Sequence, residues 1–77
     1  IAPDPLNDNS YISFENPTNE QYVIDIVNAK GIKILHYEYI YSNQFALPKS
    51  WFENGIYFFR MFSYGGTVIR GKFIVVD

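Results

Sequence analysis

Apolar and polar residues alternate with a period of two along most of this chain, and this alternation constrains the fold more than any other feature. Six runs carry it, or a bias toward β-branched and aromatic residues: 11–15, 21–28, 32–41, 45–47, 56–62 and 67–76. Gly, Pro and Asn separate the runs at spacings of about 8 to 12 residues, and helical periodicity is nearly absent. The pattern predicts one all-β domain, an antiparallel β-sandwich of about seven strands, with the seventh drawn from the lead-in, residues 1–10.

Local signals place some of these strands more closely. Residues 56–62 are the strongest strand prediction and are expected to be central in a sheet, because five of the seven are aromatic or β-branched. Residues 49–53 predict one helical turn or an irregular corner. Gly71 interrupts the last run and marks a bulge or a close approach of another group.

The size of the chain limits what it can do. A domain of 77 residues buries only about 60% of the surface that its unfolded chain exposes, so we expect marginal stability. Without cysteine it has no disulfide, no thiolate metal site and no cysteine nucleophile. Its core must therefore depend on large apolar side chains, and the 7 Phe, 7 Tyr and 1 Trp supply the buried area.

Charge and hydropathy exclude further classes. The net charge is -2 and the six basic residues are dispersed, so no nucleic-acid partner is expected. No apolar run approaches the length of a membrane span, so no membrane insertion is expected. Because the sequence starts without Met, we expect a processed product or a piece cut from a longer protein, which favours a module over a free-standing enzyme.

Four elements in order resemble one known family. Residues 3–8 resemble its opening Pro-Asn-Pro element, residues 24–31 its strand ending in an Asp-x-x-Gly turn, residues 55–57 its Gly-x-Tyr strand entry, and residues 70–76 its basic last strand. In combination they resemble the C-terminal sorting domain of type IX secretion cargo proteins, across essentially the whole chain. The resemblance implies an Ig-like sandwich, and it assigns the recognition signals to Pro3, Asp4, Pro5, Gly31, Gly55, Tyr57, Arg70, Gly71 and Lys72.

The same resemblance implies a role and its partners. Such a domain is a non-catalytic sorting signal at the C-terminus of a cargo protein, and the domain itself uses no cofactor. It passes through the periplasm, is recognised by the outer-membrane translocon, and is removed by a sortase-like peptidase that anchors the cargo at the cell surface. A last strand near a sheet edge would suit this role, because its unpaired N–H and C=O groups can accept a receptor strand.

Structural explanations compete with recognition at the best-defined positions. A Gly at 55 permits a tight strand entry, and Tyr57 is expected to bury its ring while its hydroxyl bonds a nearby loop. Arg70 and Lys72 share one strand face, opposite Gly71 and Phe73. They could contact an acidic receptor, or they could be solvated charges that prevent aggregation at an edge.

A different function remains open on the third run. Tyr37, Tyr39 and Tyr41 share a strand face, as in an aromatic platform for a sugar, although core or inter-sheet packing is the commoner use of such residues. The alternatives to sorting are therefore an accessory carbohydrate-binding module or an inert spacer of a secreted enzyme. Trp51 is expected to pack under the predicted corner at residues 49–53 and to fill the core there.

Two sets of polar residues are candidates for a metal or catalytic centre. His36 is the only histidine, and a surface position is expected for it because nothing completes a metal site or catalytic triad around it. A loose calcium site from Asp4, Asn7 and Asp8 stays open. No catalytic residue is predicted.

Overall fold

The computed structural model describes residues 6–76. Within them, the chain forms six strands and one short 3-10 helix, in this order: β1 (Tyr11–Ser13), β2 (Tyr22–Asn28), β3 (Lys33–Ile40), β4 (Gln44–Ala46), the 3-10 helix (Lys49–Trp51), β5 (Gly55–Ser63) and β6 (Val68–Val75). β1 and β4 pair as a two-stranded sheet, and the other four form a sheet in the order β3-β2-β5-β6. Every pairing is antiparallel.

The core lies between the two sheets. The core includes three inward residues of β2 and three of β5, all of them buried: Tyr22, Ile24, Ile26, Tyr57, Phe59 and Met61. Ile12 of β1 is buried against this face, and Phe45 of β4 packs on it. The all-β antiparallel sandwich is thus confirmed, as is the central position of residues 56–62, because β5 lies between β2 and β6.

The lead-in does not form the seventh strand within residues 6–10. The Asn7 carbonyl accepts a hydrogen bond from the Ser10 N–H, and the Asn7 side chain accepts one from the Asn9 N–H, so this segment turns tightly. Leu6 is buried and its N–H donates to the Ile74 carbonyl at 3.2 Å. Residues 1–5 lie outside the described residues.

A helical corner connects β4 to β5, as predicted, but the corner residue that fills the core is not Trp51. The Trp51 side chain is 52% exposed, whereas Phe52 is buried. The Phe52 ring lies 5.1 Å from the ring of Tyr57 and 5.2 Å from that of Phe73, measured between centroids. The prediction for Trp51 was wrong because adjacent residues at this corner point in different directions, and only one of them can reach the core.

A buried amide ties two loops together at one end of the sandwich. The Asn16 side chain is buried, and its nitrogen lies 2.9 to 3.1 Å from the carbonyl oxygens of Glu20, Tyr41 and Ser42. Its oxygen accepts the Glu20 N–H. Because an amide nitrogen carries only two protons, three carbonyls share them. This one side chain therefore links the β1–β2 loop to the end of β3.

Candidate recognition surface

Strand β6 is an edge strand of its sheet, and among residues 6–76 its outer side is largely unpaired. Its register with β5 is regular from Val68 to Val75, with no bulge. The hairpin closes with the Ser63 N–H donating to the Thr67 carbonyl, so odd-numbered residues of β6 direct their backbone groups toward β5. The even-numbered residues direct theirs outward. Within the described part of the chain, only the Ile74 carbonyl among these outward groups has a backbone partner, the Leu6 N–H.

The exposed side of the four-stranded sheet, called here the outer face, is basic. Four basic side chains lie on it (Lys33, Arg60, Arg70 and Lys72), with two acidic ones, Asp25 and Glu38. The face therefore carries two net positive charges with His36 neutral, although the whole chain has a net charge of -2. Basic residues dispersed in sequence are gathered by the sheet.

Two arginines form the centre of this basic surface. Arg60 of β5 lies directly opposite Arg70 of β6, a like-charge pairing that disfavours the fold slightly. Neither guanidinium makes an ion pair with a carboxylate among residues 6–76. The Arg60 guanidinium instead lies 4.8 Å from the centre of the Phe62 ring, a cation–π contact. A shallow groove of about 430 Å³ runs beside the pair, lined in part by Val27, Lys33 and Phe58.

The acidic side chain nearest to Arg60 is already engaged. Asp25 is opposite Arg60 in the register, but its Oδ1 accepts the His36 Nδ1 at 2.6 Å and lies 3.4 Å from the Lys33 Nζ. The other His36 nitrogen lies 3.4 Å from Glu38 Oε2. Asp25 thus balances charges on β3 and leaves the two arginines available.

These contacts shift two pKa values in opposite directions. The hydrogen bond to Asp25 raises the pKa of His36 above its usual range, against a smaller effect of desolvation, and Glu38 adds to the rise. Partial burial raises the pKa of the Asp25 carboxyl, but the hydrogen bonds from His36 and Lys33 together outweigh it, and the net pKa is lowered. His36 is exposed, as expected from the sequence, and its pairing across two strands was not foreseen.

The signals assigned by resemblance do not form one surface. Arg70 and Lys72 are exposed on the outer face, as their spacing predicted. Gly31 is exposed in the β2–β3 turn, with a φ of 82° that favours glycine. Pro3, Asp4 and Pro5 lie outside the described residues.

Gly55 and Tyr57 face the interior instead. Gly55 begins β5 with a φ of 153°. The Tyr57 side chain is 6% exposed, its ring stacks on that of Phe73 at 5.3 Å, and its hydroxyl donates to the Glu53 carbonyl at 2.7 Å. A partner could not contact this side chain without opening the fold.

Gly71 also has a structural reason to lack a side chain. A Cβ built on it would lie 2.5 Å from the Phe59 ring. Of the two explanations that the sequence offered, the close approach is confirmed and the bulge is wrong, because the ring of Phe59 lies over this position without disturbing the register.

The three tyrosines are not core residues. Tyr37, Tyr39 and Tyr41 are 46, 65 and 50% exposed. The rings of Tyr37 and Tyr39 meet edge to face at 6.1 Å, and Tyr37 lies 6.0 Å from Phe45 at the junction of the two sheets. The expectation of packing was wrong for Tyr39 and Tyr41, because β3 is an edge strand whose register with β2 shifts twice and leaves residues outside the covered face.

Metal binding finds no support in residues 6–76. No group of three or more His, Asp or Glu side chains there could hold an ion. The Asp8 carboxylate accepts the Ser50 N–H at 3.1 Å, and the Asn7 side chain accepts the Asn9 N–H, so both candidate calcium ligands support loops. The third candidate, Asp4, lies outside the described residues. Within the same range, no helix has the length and apolarity that crossing a bilayer requires.

Sequence reasoning missed Arg60 and Phe58 as neighbours of Arg70 and Lys72. A signal existed, because the Gly65-Gly66 turn fixes the hairpin register and strict alternation then places the even-numbered residues of both strands on one face. What could not be read was which face stays exposed, since the even residues of β5 include large apolar ones.

Comparison with known proteins agrees with the resemblance drawn from the residues. The family model of the secretion system C-terminal sorting domain matches residues 1–76. No curated protein and no solved structure matches the chain. The family match covers all the elements that carried the resemblance, including the edge strand β6. The chain therefore belongs to the C-terminal sorting domain family of type IX secretion.

Proposed function

We propose that this domain carries a cargo protein, attached at its N-terminal side, from the periplasm through the outer-membrane translocon of the type IX system. A sortase-like peptidase then removes the domain and anchors the cargo at the cell surface. Membership of the family supports the coarser statements, sorting by type IX secretion and a cell-surface or extracellular destination. The family is in general non-catalytic, and the domain acts here as a folded address.

The observation that carries the proposal is the open edge of β6. Its outward backbone groups at residues 68, 70 and 72 have no partner among residues 6–76, and two of these residues present basic side chains. An open edge lets a receptor add a strand and gain main-chain hydrogen bonds. Arg70 and Lys72 are therefore the recognition residues most accessible to the translocon.

An export assay tests the role. The 77-residue chain is fused behind a fluorescent protein that carries a periplasmic signal, in a host with a type IX apparatus. We expect fluorescence outside the outer membrane, and its loss when the translocon is deleted. If the folded domain instead retains the fluorescence in the periplasm, the sorting role is wrong and an inert spacer is the better account.

One pair of variants asks whether the β6 edge is what is recognised. Lys72→Pro removes an outward N–H that is not bonded to β5, a position where an edge strand tolerates proline. Lys72→Ala removes the charge and keeps the N–H. We expect export to fall more in the proline variant than in the alanine variant, with far-ultraviolet circular dichroism showing that both fold. Equal export of the two would contradict strand addition at this edge.

A second candidate, carbohydrate binding, is favoured by the exposure of Tyr37, Tyr39 and Tyr41. Exposed tyrosine rings can stack on sugar faces, and Trp51 and Phe45 border the same shallow groove of about 440 Å³ as Tyr37. Affinity electrophoresis in soluble polysaccharide tests it. Retardation of the wild type that Tyr39→Ala abolishes would support the sugar-binding module over the sorting role.

A further inference from the structure

The free backbone groups of β6 define how many bonds a partner can make. Val68, Arg70 and Lys72 each direct one N–H and one C=O away from β5. The Ile74 carbonyl, one step further, is bonded to Leu6, which closes that end. This stretch of β6, residues 68–72, is called here the opening. It suits about five residues of an extended chain, because antiparallel pairing engages every second residue on each strand.

Side chains beside this opening select the charge of the partner. A strand added next to β6 would place its outward side chains opposite Val68, Arg70 and Lys72. Directly opposite side chains on neighbouring antiparallel strands have Cβ atoms about 4.5 to 5.5 Å apart. Arg60 lies one strand further in and has no carboxylate partner among residues 6–76. Carboxylates at alternate positions of the added strand would neutralise Arg60, Arg70 and Lys72, which have no carboxylate partner among residues 6–76.

A second copy of this chain does not fit the same opening. If two β6 strands paired antiparallel with their buried faces on the same side, even residues would oppose even residues. The one register that engages residues 68, 70 and 72 of both copies sets Arg70 directly against Arg70. Like charges directly opposite each other destabilise a strand pair. The edge thus repels itself and attracts an acidic chain.

The core-facing side of β6 favours apolar residues in an added strand. Ile69 is half-buried and packs against the core, and Gly71 is half-buried under the Phe59 ring. Inward side chains of an added strand would lie beside these two residues and extend the core. Alternation of acidic and apolar residues satisfies both sides at once.

We infer that β6 accepts one extended peptide strand in which acidic and apolar residues alternate over about five positions. This rests on the proposed function, in that β6 is the recognised element, and it names the chemistry of the segment that recognises it. The juxtaposition that supports it is a backbone edge without partners at residues 68, 70 and 72 in the described part of the chain, beside the positive charges of Arg70, Lys72 and their cross-strand neighbour Arg60.

A designed peptide tests the inference on the 77-residue chain. The probe is a blocked, fluorescein-labelled heptapeptide of alternating valine and glutamate, and the control peptide has lysine in place of glutamate. We expect saturable binding of the first by fluorescence anisotropy, and at least about 10-fold weaker binding of the second. Amide hydrogen exchange at residues 68, 70 and 72 should slow when the peptide binds, since only these N–H groups gain partners. Equal binding of both peptides, or slower exchange elsewhere only, would overturn the inference.

Arg70→Glu separates binding from folding. The substitution replaces the Arg60–Arg70 repulsion by an opposite-charge pair, so the thermal midpoint should stay unchanged or rise. Binding of the glutamate peptide should nevertheless weaken about 10-fold. The matched control is Lys30→Glu, the same charge change in the exposed β2–β3 turn, which should leave binding unchanged. Equal losses from both variants would show a diffuse charge effect and overturn the inference.

Measuring export of the same variants distinguishes failure of the inferred acidic partner from failure of the proposed sorting function. Export of Arg70→Glu that equals the wild type, alongside lost peptide binding, would overturn the acidic partner and leave the sorting role standing. Export that never depends on the translocon would overturn the proposed function whatever the peptide does. Loss of export in Arg70→Glu alone, with Lys30→Glu exported normally, supports both.

Discussion

Substituting Gly71 by alanine tests whether packing, and not recognition, excludes a side chain from the middle of β6. A Cβ at this position would lie 2.5 Å from Cε2 and 2.6 Å from Cζ of Phe59. Carbon atoms in good contact are about 3.5 to 4.0 Å apart. Because Phe59 is itself buried, its ring must move by about 1 Å into neighbours that already pack against it.

The expected magnitude combines two opposing effects. Overpacking a buried site costs about 1 to 3 kcal/mol of the free energy of unfolding. Alanine regains about 0.5 to 1 kcal/mol because glycine in a strand loses more backbone entropy on folding. We expect Gly71→Ala to destabilise the domain by about 0.5 to 2 kcal/mol. After Phe59→Leu, which removes the two ring atoms, the same substitution should be neutral or stabilising.

A double-mutant cycle in urea, followed by aromatic fluorescence, measures the coupling between the two positions. We expect a coupling free energy of about 1 to 3 kcal/mol between Gly71 and Phe59. Gly31→Ala provides the control, because its cost comes from a positive φ with no atom within 4 Å, and should be the same with Phe59 or Leu at position 59. If Gly71→Ala costs the same in both backgrounds, the Phe59 ring is not the reason for the glycine.

Three further predictions concern the rest of the fold. The wild-type domain should lose stability as pH rises from about 5.5 to 8.5, and His36→Gln should remove this loss. Because the pKa of His36 is raised in the fold, its stabilisation is present below about pH 6.5 and is lost as pH rises through the folded pKa, whereas the stabilisation from the lowered Asp25 pKa is present throughout this range, above about pH 4. Urea unfolding of both proteins at about pH 5.5 and 8.5 measures the difference. Asn16→Ala should cost about 1 to 3 kcal/mol of the free energy of unfolding, because three partly buried carbonyls lose their donor. Asn43→Ala on the exposed neighbouring loop should cost under about 0.5 kcal/mol in the same titration. Tyr57→Ala should cost about 3 to 5 kcal/mol, and an unchanged urea midpoint would contradict its place in the core.

Strand positions could be predicted because successive side chains point to opposite faces of a strand, so a strand with one buried face alternates between apolar and polar residues. On β2, the residues predicted to share one face, Tyr22, Ile24 and Ile26, are all buried together. The pattern is legible here because this strand is internal, covered by the core on one face, and has β3 and β5 on its sides. The same logic failed on β3, an edge strand whose two register shifts move residues between faces.

Contacts between distant segments were not predictable. The Asp25–His36 hydrogen bond joins residues 11 apart, and the Asn16 amide reaches carbonyls 25 and 26 positions away. The first depends on the register of β3 against β2, which shifts twice, and the second depends on how loops approach each other; no local pattern encodes either. In the sequence, Asn16 is only one of the residues that separate two runs, and this signal is the same whether its amide is solvated or buried.

Only half of the candidate recognition surface could be inferred for a similar reason. Arg70 and Lys72 were found from their spacing on one strand. Arg60 becomes part of the surface only through pairing of β5 with β6, and its availability depends on Asp25 being engaged by β3. All four strands of the sheet therefore determine the charge of one face.

The two explanations weighed for Arg70 and Lys72, protection against aggregation and contact with a receptor, follow from the same physical property. An unpaired edge on so small a domain is open to pairing with any exposed strand, including that of another copy. Positive charge at alternate positions makes pairing with itself unfavourable and pairing with an acidic strand favourable. The Arg60–Arg70 repulsion raises this selectivity at some loss of stability, which replacing Arg70 by glutamate should restore. A gain of stability together with a loss of peptide binding in Arg70→Glu would indicate that the charge of Arg70 is retained for recognition.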